Sequence, residues 1–199
     1  MDTTPARLPD HPVDPIFLKR WSPRGFTDEE IPEAVLNQLF EAARWAPSAS
    51  NLQPWRFIYA RRGGPGWDAI LSTLVPFNQG WAHRAAALVV VVSKRTTETT
   101  GGGEPKPSHS HSFDAGAAWG YLALQAAHLG WVAHGMTGFD TAKAQELLGV
   151  PADYRVEAAI AIGRHGNVER LPDTLQARET PSTRRPVASF AFEGRFPPA

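Results

Sequence analysis

The stretch ALVVVVS (87–93) constrains this chain more than any other. It is an unbroken apolar run rich in β-branched residues, with no alternating polar position to turn toward water. A strand of this kind is buried on both faces. A strand covered twice needs a layer of structure on each side, so helices must pack on both faces of whatever sheet contains it.

The rest of the chain supplies those layers. In TDEEIPEAVLNQLFEAARWAP (27–47) the apolar residues Ile31, Val35, Leu36, Leu39, Phe40 and Ala43 recur at helical spacing. Two starts compete for this helix: Pro32 at the first helical position, or an earlier capping box from Thr27 and Glu30. It must end near Ala46, because Pro47 disfavours a helical residue before it. RFIYARR (56–62) reads as a strand, GGPG (63–66) as a turn, 67–74 as a short helix, and 113–130 as a helix of mostly small residues. Gly116 and Gly120 lie inside that helix, where each costs about 1 kcal/mol, so another backbone is expected to approach closely there. WVAHGMTGFD (131–140) is a strand then a turn, 141–149 a short helix stopped by Gly149, and VEAAIAIG (156–163) a buried strand. Residues 1–15 are read as a loose Pro- and Asp-rich arm, 96–112 as a mobile polar loop, and about 165–199 as an extended tail that needs a surface to lie on. One domain therefore spans 16–199.

Composition removes several function classes. With 20 basic and 20 acidic residues the formal charge is zero, which argues against a nucleic-acid partner. The absence of cysteine excludes disulfides, thiolate metal sites and cysteine nucleophiles. AAALVVVV (85–92) is too short to span a bilayer, and the N-terminal stretch has no apolar signal segment, so a cytoplasmic protein without membrane contact is expected. GGPG and GGG (101–103) lack the spacing of a dinucleotide-binding turn. His109 and His111, in a polar loop, are not read as a metal site. His128 and His134 are read as structural.

Three polar stretches remain that core packing does not need. They are Arg20-Trp21-Ser22-Pro23-Arg24, the connection APSASNLQPW (46–55), and STRRP with Arg184 and Arg185. None has the spacing of a nucleophile and its base. All are rich in donors. Guanidiniums and hydroxyls suit a phosphate, and the amides of Asn51 and Gln53 suit the edge of a heterocycle.

RWSPRGF (20–26), APSASNLQPWRF (46–57) and GMTGFD (135–140), in this order, resemble the FMN-dependent nitroreductase family over roughly residues 16–190. The resemblance implies an α+β fold, with a mixed, mainly antiparallel sheet flanked by helices, and an intertwined homodimer whose tails lie over the partner subunits. It implies two FMN sites at the interface. Arg20, Trp21 and Ser22 would hold the phosphate and ribityl end, Arg184 or Arg185 would close on the phosphate, and Arg24 would lie by the N1/O2 edge of the ring. Ser48, Ala49 and Asn51 would reach the cofactor from the other subunit, Gln53 would also bind it, Asn78 would meet the ring edge, and Thr137 and Gly138 would meet flavin N5. No residue beyond these is expected to be catalytic, the flavin being the reactive centre. The implied activity is hydride transfer from NAD(P)H through flavin N5 to a nitroaromatic, quinone or similar acceptor, by a ping-pong scheme. The alternatives are a reductive dehalogenase or enone reductase on the same scaffold, or a flavin-binding carrier or sensor without turnover. Three positions depart from the pattern: Thr137 stands where an acid is common, Trp81 where a basic residue often follows the asparagine, and Ala49 where serine is usual.

Overall fold

The computed structural model describes residues 7–97 and 104–197. Four strands form one sheet in the order β1-β2-β4-β3: β1 (Trp55–Arg61), β2 (Ala87–Lys94), β3 (Val132–Met136) and β4 (Tyr154–Gly163). All three pairings are antiparallel. Seven α-helices surround the sheet among the described residues: α1 (Pro15–Lys19), α2 (Glu33–Arg44), α3 (Trp67–Thr73), α4 (Pro76–Ala82), α5 (His111–His128), α6 (Thr141–Leu147) and α7 (Asp173–Gln176). The fold is α+β, as the resemblance implies.

The valine run is the centre of the molecule. Residues 87–93 of β2 are all buried, and their side chains alternate between two cores. Leu88, Val90 and Val92 face Trp67, Ile70 and Leu74 of the α3 region and Trp81 of α4. Ala87, Val89 and Val91 face Leu36 and Leu39 of α2 and Ala115, Ala118 and Leu122 of α5. Between Val91 and Val92 the register with β4 slips by one residue, so Glu157 stands opposite no partner, as in a β-bulge.

Several boundaries differ from the sequence reading. α2 starts at Glu33, with Pro32 outside it in extended conformation, while Thr27 makes only a local turn by accepting from the Glu29 N–H. α5 starts two residues earlier than expected and includes His111, whose Nδ1 lies 2.7 Å from Ser93 Oγ. The base of the 96–112 loop is therefore fixed: Thr96 bridges Pro107, and Ser108 N–H donates to Arg95 O. Residues 98–103 lie outside the described residues.

Among the described residues nothing requires the two glycines of α5: a Cβ added at Gly116 or Gly120 would meet none of their atoms within 4 Å. The small residues that do pack are Ala115, Ala118, Ala123 and Ala126, which bring α5 onto α2 and the sheet. The glycines lie on the outward side, on the helix that also carries exposed Phe113 and Tyr121.

The two chain ends are more attached than expected. Arg7 Nη1 donates to Leu18 O (2.6 Å) and Arg20 O (2.8 Å), and Asp10 accepts from the Val187 N–H. The arm is thus tied down from residue 7 onward, and residues 1–6 lie outside the described residues. The first part of the tail belongs to the core of its own chain, through buried Leu171 and Leu175. Beyond Ser182 the described tail is exposed, including Phe190, Phe192 and Phe196. No helix among the described residues is long and apolar enough to cross a membrane.

Because Leu88 is fully buried in the central strand, Leu88→Ala is expected to cost about 2–5 kcal/mol of stability. Urea unfolding should show a lower midpoint at unchanged slope. A loss below about 1 kcal/mol would mean that the strand is not the packed centre described here.

Candidate functional site

The arginine-rich segment 20–24 crosses the β3 edge of the sheet. It is held by His134 of β3, whose Nδ1 lies 3.0 Å from Pro23 O; since a carbonyl only accepts, Nδ1 carries the proton and donates. Burial pushes the His134 pKa down and Arg24 adds to this, while the Pro23 carbonyl and Glu179 oppose it. His134 also packs at a tilt against Trp81 of α4, with 4.7 Å between ring centroids. On the same side, Trp21 meets His165 edge to face at 5.0 Å.

Arg20 ends α1, and its Nη1 reaches Ser22 Oγ at 3.4 Å. Its pKa is pushed down first by burial, then by Arg184 and Arg7. Arg7 is pushed down by burial and by Arg184. Three guanidiniums therefore share one region, and among the described residues no carboxylate is within ion-pair range of any of them. Clustered cations without a counter-charge disfavour one another, and a bound anion relieves that cost. Among the described residues Arg184 is otherwise bonded only locally, to Ser182 and Thr183, and Arg185 is exposed.

Half-buried Arg24 lies 5.8 Å above the Trp81 ring. Its Nε is buried and has no hydrogen-bond partner, and the same is true of Trp81 Nε1. The residue in place of a second basic group thus supports the first by a cation–π contact. On α4, three residues before Trp81, Asn78 is 8% exposed and donates from Nδ2 to Gly138 O at 2.9 Å. Val75 N–H donates to the same carbonyl at 3.1 Å. A Cβ at position 138 would lie 2.7 Å from Asn78 Nδ2, so the turn after β3 needs glycine for this close approach. Thr137 beside it is exposed.

The Ser48–Gln53 connection is elsewhere. Ser50, Asn51 and Gln53 have φ of 51°, 55° and 47°. Three non-glycine residues in the left-handed region within four positions store strain of about 1–3 kcal/mol each, a pattern typical of functional loops. The connection is held by Ser48 Oγ, which accepts from the Gln53 N–H at 3.0 Å, and by buried Asp114 of α5, which accepts from the Ala49 N–H at 3.2 Å. Gln53 Nε2 donates to Asn51 O, while Ala49, Asn51 and Gln53 are exposed.

The expected site residues thus fall into two groups. Arg20, Trp21, Ser22, Arg24 and Asn78, with Thr137, Gly138 and Arg184, gather around the β3 edge. Ser48, Ala49, Asn51 and Gln53 lie beside the start of β1, at the opposite edge. Helix α5 gives the distance between them: Ala49 is bonded at Asp114, whereas Arg20 and Trp21 line a small cavity with Ala123 and Ala127. Those alanines are nine to thirteen residues further along, or about 14–20 Å. Residue patterns did not reveal Arg7, Asp114 or Glu179, the last of which holds the Arg24 backbone. Arg7 and Glu179 lie in segments without periodicity, and Asp114 lies in the first turn of α5, where an acid is ordinary.

Comparison with known proteins bears on the family and the fold. The model of the nitroreductase family matches residues 18–64 and 66–164. A solved structure described as an oxidoreductase containing FMN is 48% identical, with a TM-score of 0.94 over 99% of both chains. A protein from Desulfovibrio desulfuricans, solved in complex with FMN, is 27% identical with a TM-score of 0.71 over 94% of this chain and 100% of its own. Among curated proteins, an NADH dehydrogenase of Thermus thermophilus is 29% identical over 185 residues, covering 79% of this chain and 89% of that protein.

The depressed pKa of His134 has a measurable consequence. A histidine with a lower pKa folded than unfolded binds its proton more readily when unfolded, so stability falls as pH drops below about 6.5 and is unaffected by this group above it. NMR titration should place the His134 midpoint below about 6.5 with the proton on Nδ1; a midpoint at or above that value would contradict the buried, neutral assignment.

Proposed function

This chain belongs to the nitroreductase family, and on that premise we propose that it is an FMN-dependent oxidoreductase taking a hydride from NAD(P)H and passing it, in a ping-pong scheme, to a nitroaromatic, quinone or similar acceptor. The observation that carries this reading is the cluster of Arg7, Arg20 and Arg184, with no carboxylate in ion-pair range among the described residues, together with the unpartnered Nε of Arg24 four residues on from Arg20. A phosphate fits the first and the electron-rich edge of a ring fits the second. Bound FMN supplies the hydride-accepting centre at N5, and the protein supplies position and electrostatics.

Each residue then has a role. Arg20 and Ser22, with Arg184 or Arg185, bind the phosphate, and Trp21 carries the backbone between them. Arg24 lies at the N1/O2 edge, where a fixed cation stabilises negative charge that develops on reduction. Its height is set by the Trp81 ring beneath it. Asn78 holds the Gly138 carbonyl, so the Thr137–Gly138 backbone is aimed at the reacting face.

Ser48, Ala49, Asn51 and Gln53 are assigned to the site of a second subunit. Their separation from Arg20 within one chain supports this, as do the exposed aromatic side chains of α5 and of the tail beyond Ser182. An intertwined homodimer would cover both.

The visible spectrum tests the reading. The purified protein should be yellow, and anaerobic NADH or NADPH should bleach it. A colourless protein that takes up no FMN would refute it, and a yellow protein that neither nucleotide reduces would point to a carrier or sensor. Arg20→Ala should weaken FMN at least tenfold, about 1.4 kcal/mol, while changing riboflavin affinity little; equal weakening of both would remove Arg20 from the phosphate.

A further inference from the structure

Glu179 is the most deeply buried carboxylate near the arginine segment, with its side chain 1% exposed. It lies just after α7, more than 150 residues from the segment it touches. Its Oε1 accepts two hydrogen bonds of 2.6 Å, from the N–H of Arg24 and from the N–H of Gly25. The approach leaves no spare room: a Cβ at position 25 would lie 2.8 Å from Gly166 O and 3.3 Å from Glu179 Oε1. Glycine at position 25 is required by the Gly166 carbonyl, and a Cβ there would also crowd the carboxylate. His165 Nε2 stands 3.7 Å from the same oxygen, and Oε2 is buried with no partner.

A carboxylate is costly to bury, and a structural tie between two neighbouring amides could be made by a neutral amide oxygen. The retained charge therefore has a second effect. Arg24 is pushed down by its own burial and by Arg178, and Glu179 counteracts this. The charge acts on the guanidinium although no ion pair joins them; the carboxylate grips the backbone instead, and the Arg24 side chain packs over Trp81.

We propose that Glu179 is a positioning residue that fixes the Arg24–Gly25 backbone through one carboxylate oxygen and sets, through its negative charge, how strongly Arg24 stabilises the reduced cofactor. This rests on the functional reading above for its second half only; the backbone tie is independent of any cofactor. Two substitutions separate the halves. Glu179→Gln keeps the reach and an acceptor oxygen but removes the charge, whereas Glu179→Asp keeps the charge but is one methylene too short to hold both amides.

Hydrogen exchange on flavin-free protein reads the tie. The Arg24 and Gly25 amides should exchange at least tenfold faster in Glu179→Asp than in the wild type, and within a few-fold of wild type in Glu179→Gln. Equal protection in all three proteins would overturn the tie. Potentiometry on flavin-loaded protein reads the charge. Glu179→Gln should shift the reduction equilibrium toward the reduced form by about tenfold, close to 30 mV for a two-electron couple. An unchanged or lowered potential would overturn the electrostatic half. Wild-type protein that cannot be loaded with FMN would refute the functional reading and with it the electrostatic half, while the exchange measurement would still decide the tie.

Discussion

The complete burial of β2 is the constraint on which the rest depends. A strand packed on both faces needs α2 and α5 on one side and α3, α4 and α6 on the other, and this order leaves β1 and β3 as the two edges of the sheet. The connection that enters β1 carries Ser48, Ala49, Asn51 and Gln53. The segment that crosses β3 carries Arg20 and Arg24, and the turn that leaves β3 carries Thr137 and Gly138. Two sets of donors are thereby placed about 14–20 Å apart along α5. In the proposed reading, a second copy of the chain is what brings the two sets to one ligand.

The two sets also differ in how they are held. The β1 connection is strained, with three residues in left-handed conformation, and Asp114 and Ser48 fix it by backbone hydrogen bonds. The β3 set is held by burial: His134 on Pro23, Trp81 under Arg24, Glu179 under the Arg24 and Gly25 amides. In both, the backbone is fixed and the outward polar atoms remain available. Such preorganisation leaves little reordering cost when a ligand arrives.

Much of this was legible in the sequence, for identifiable reasons. The valine run, the helical spacing of 31–43 and the strand 156–163 are governed by burial, which composition reports directly. The donor-rich motifs were visible because no core needs them. What was hidden depends on contacts between distant residues. Nothing in the neighbourhood of Glu179 says that it reaches Gly25, and nothing around Arg7 says that it reaches back to Leu18 and Arg20. The glycines of α5 were visible, but the alanines beside them do the packing within the chain and the glycines face outward. The start of α2 was missed because extended backbone at Pro32 and a local turn at Thr27 satisfy neither of the two expected starts.

The central claim is that the arginine segment of one subunit and the Ser48–Gln53 connection of another complete one flavin site. Mixed dimers test it most directly. One chain carries Arg20→Ala and the other carries alanine at Ser48, Asn51 and Gln53 together, so each parent homodimer is impaired at both of its sites. If the site is shared between subunits, the mixed dimer has one intact site and regains FMN binding with near wild-type affinity there. If each site is built within one chain, both sites in the mixed dimer remain defective, and no recovery over the parents would contradict the account.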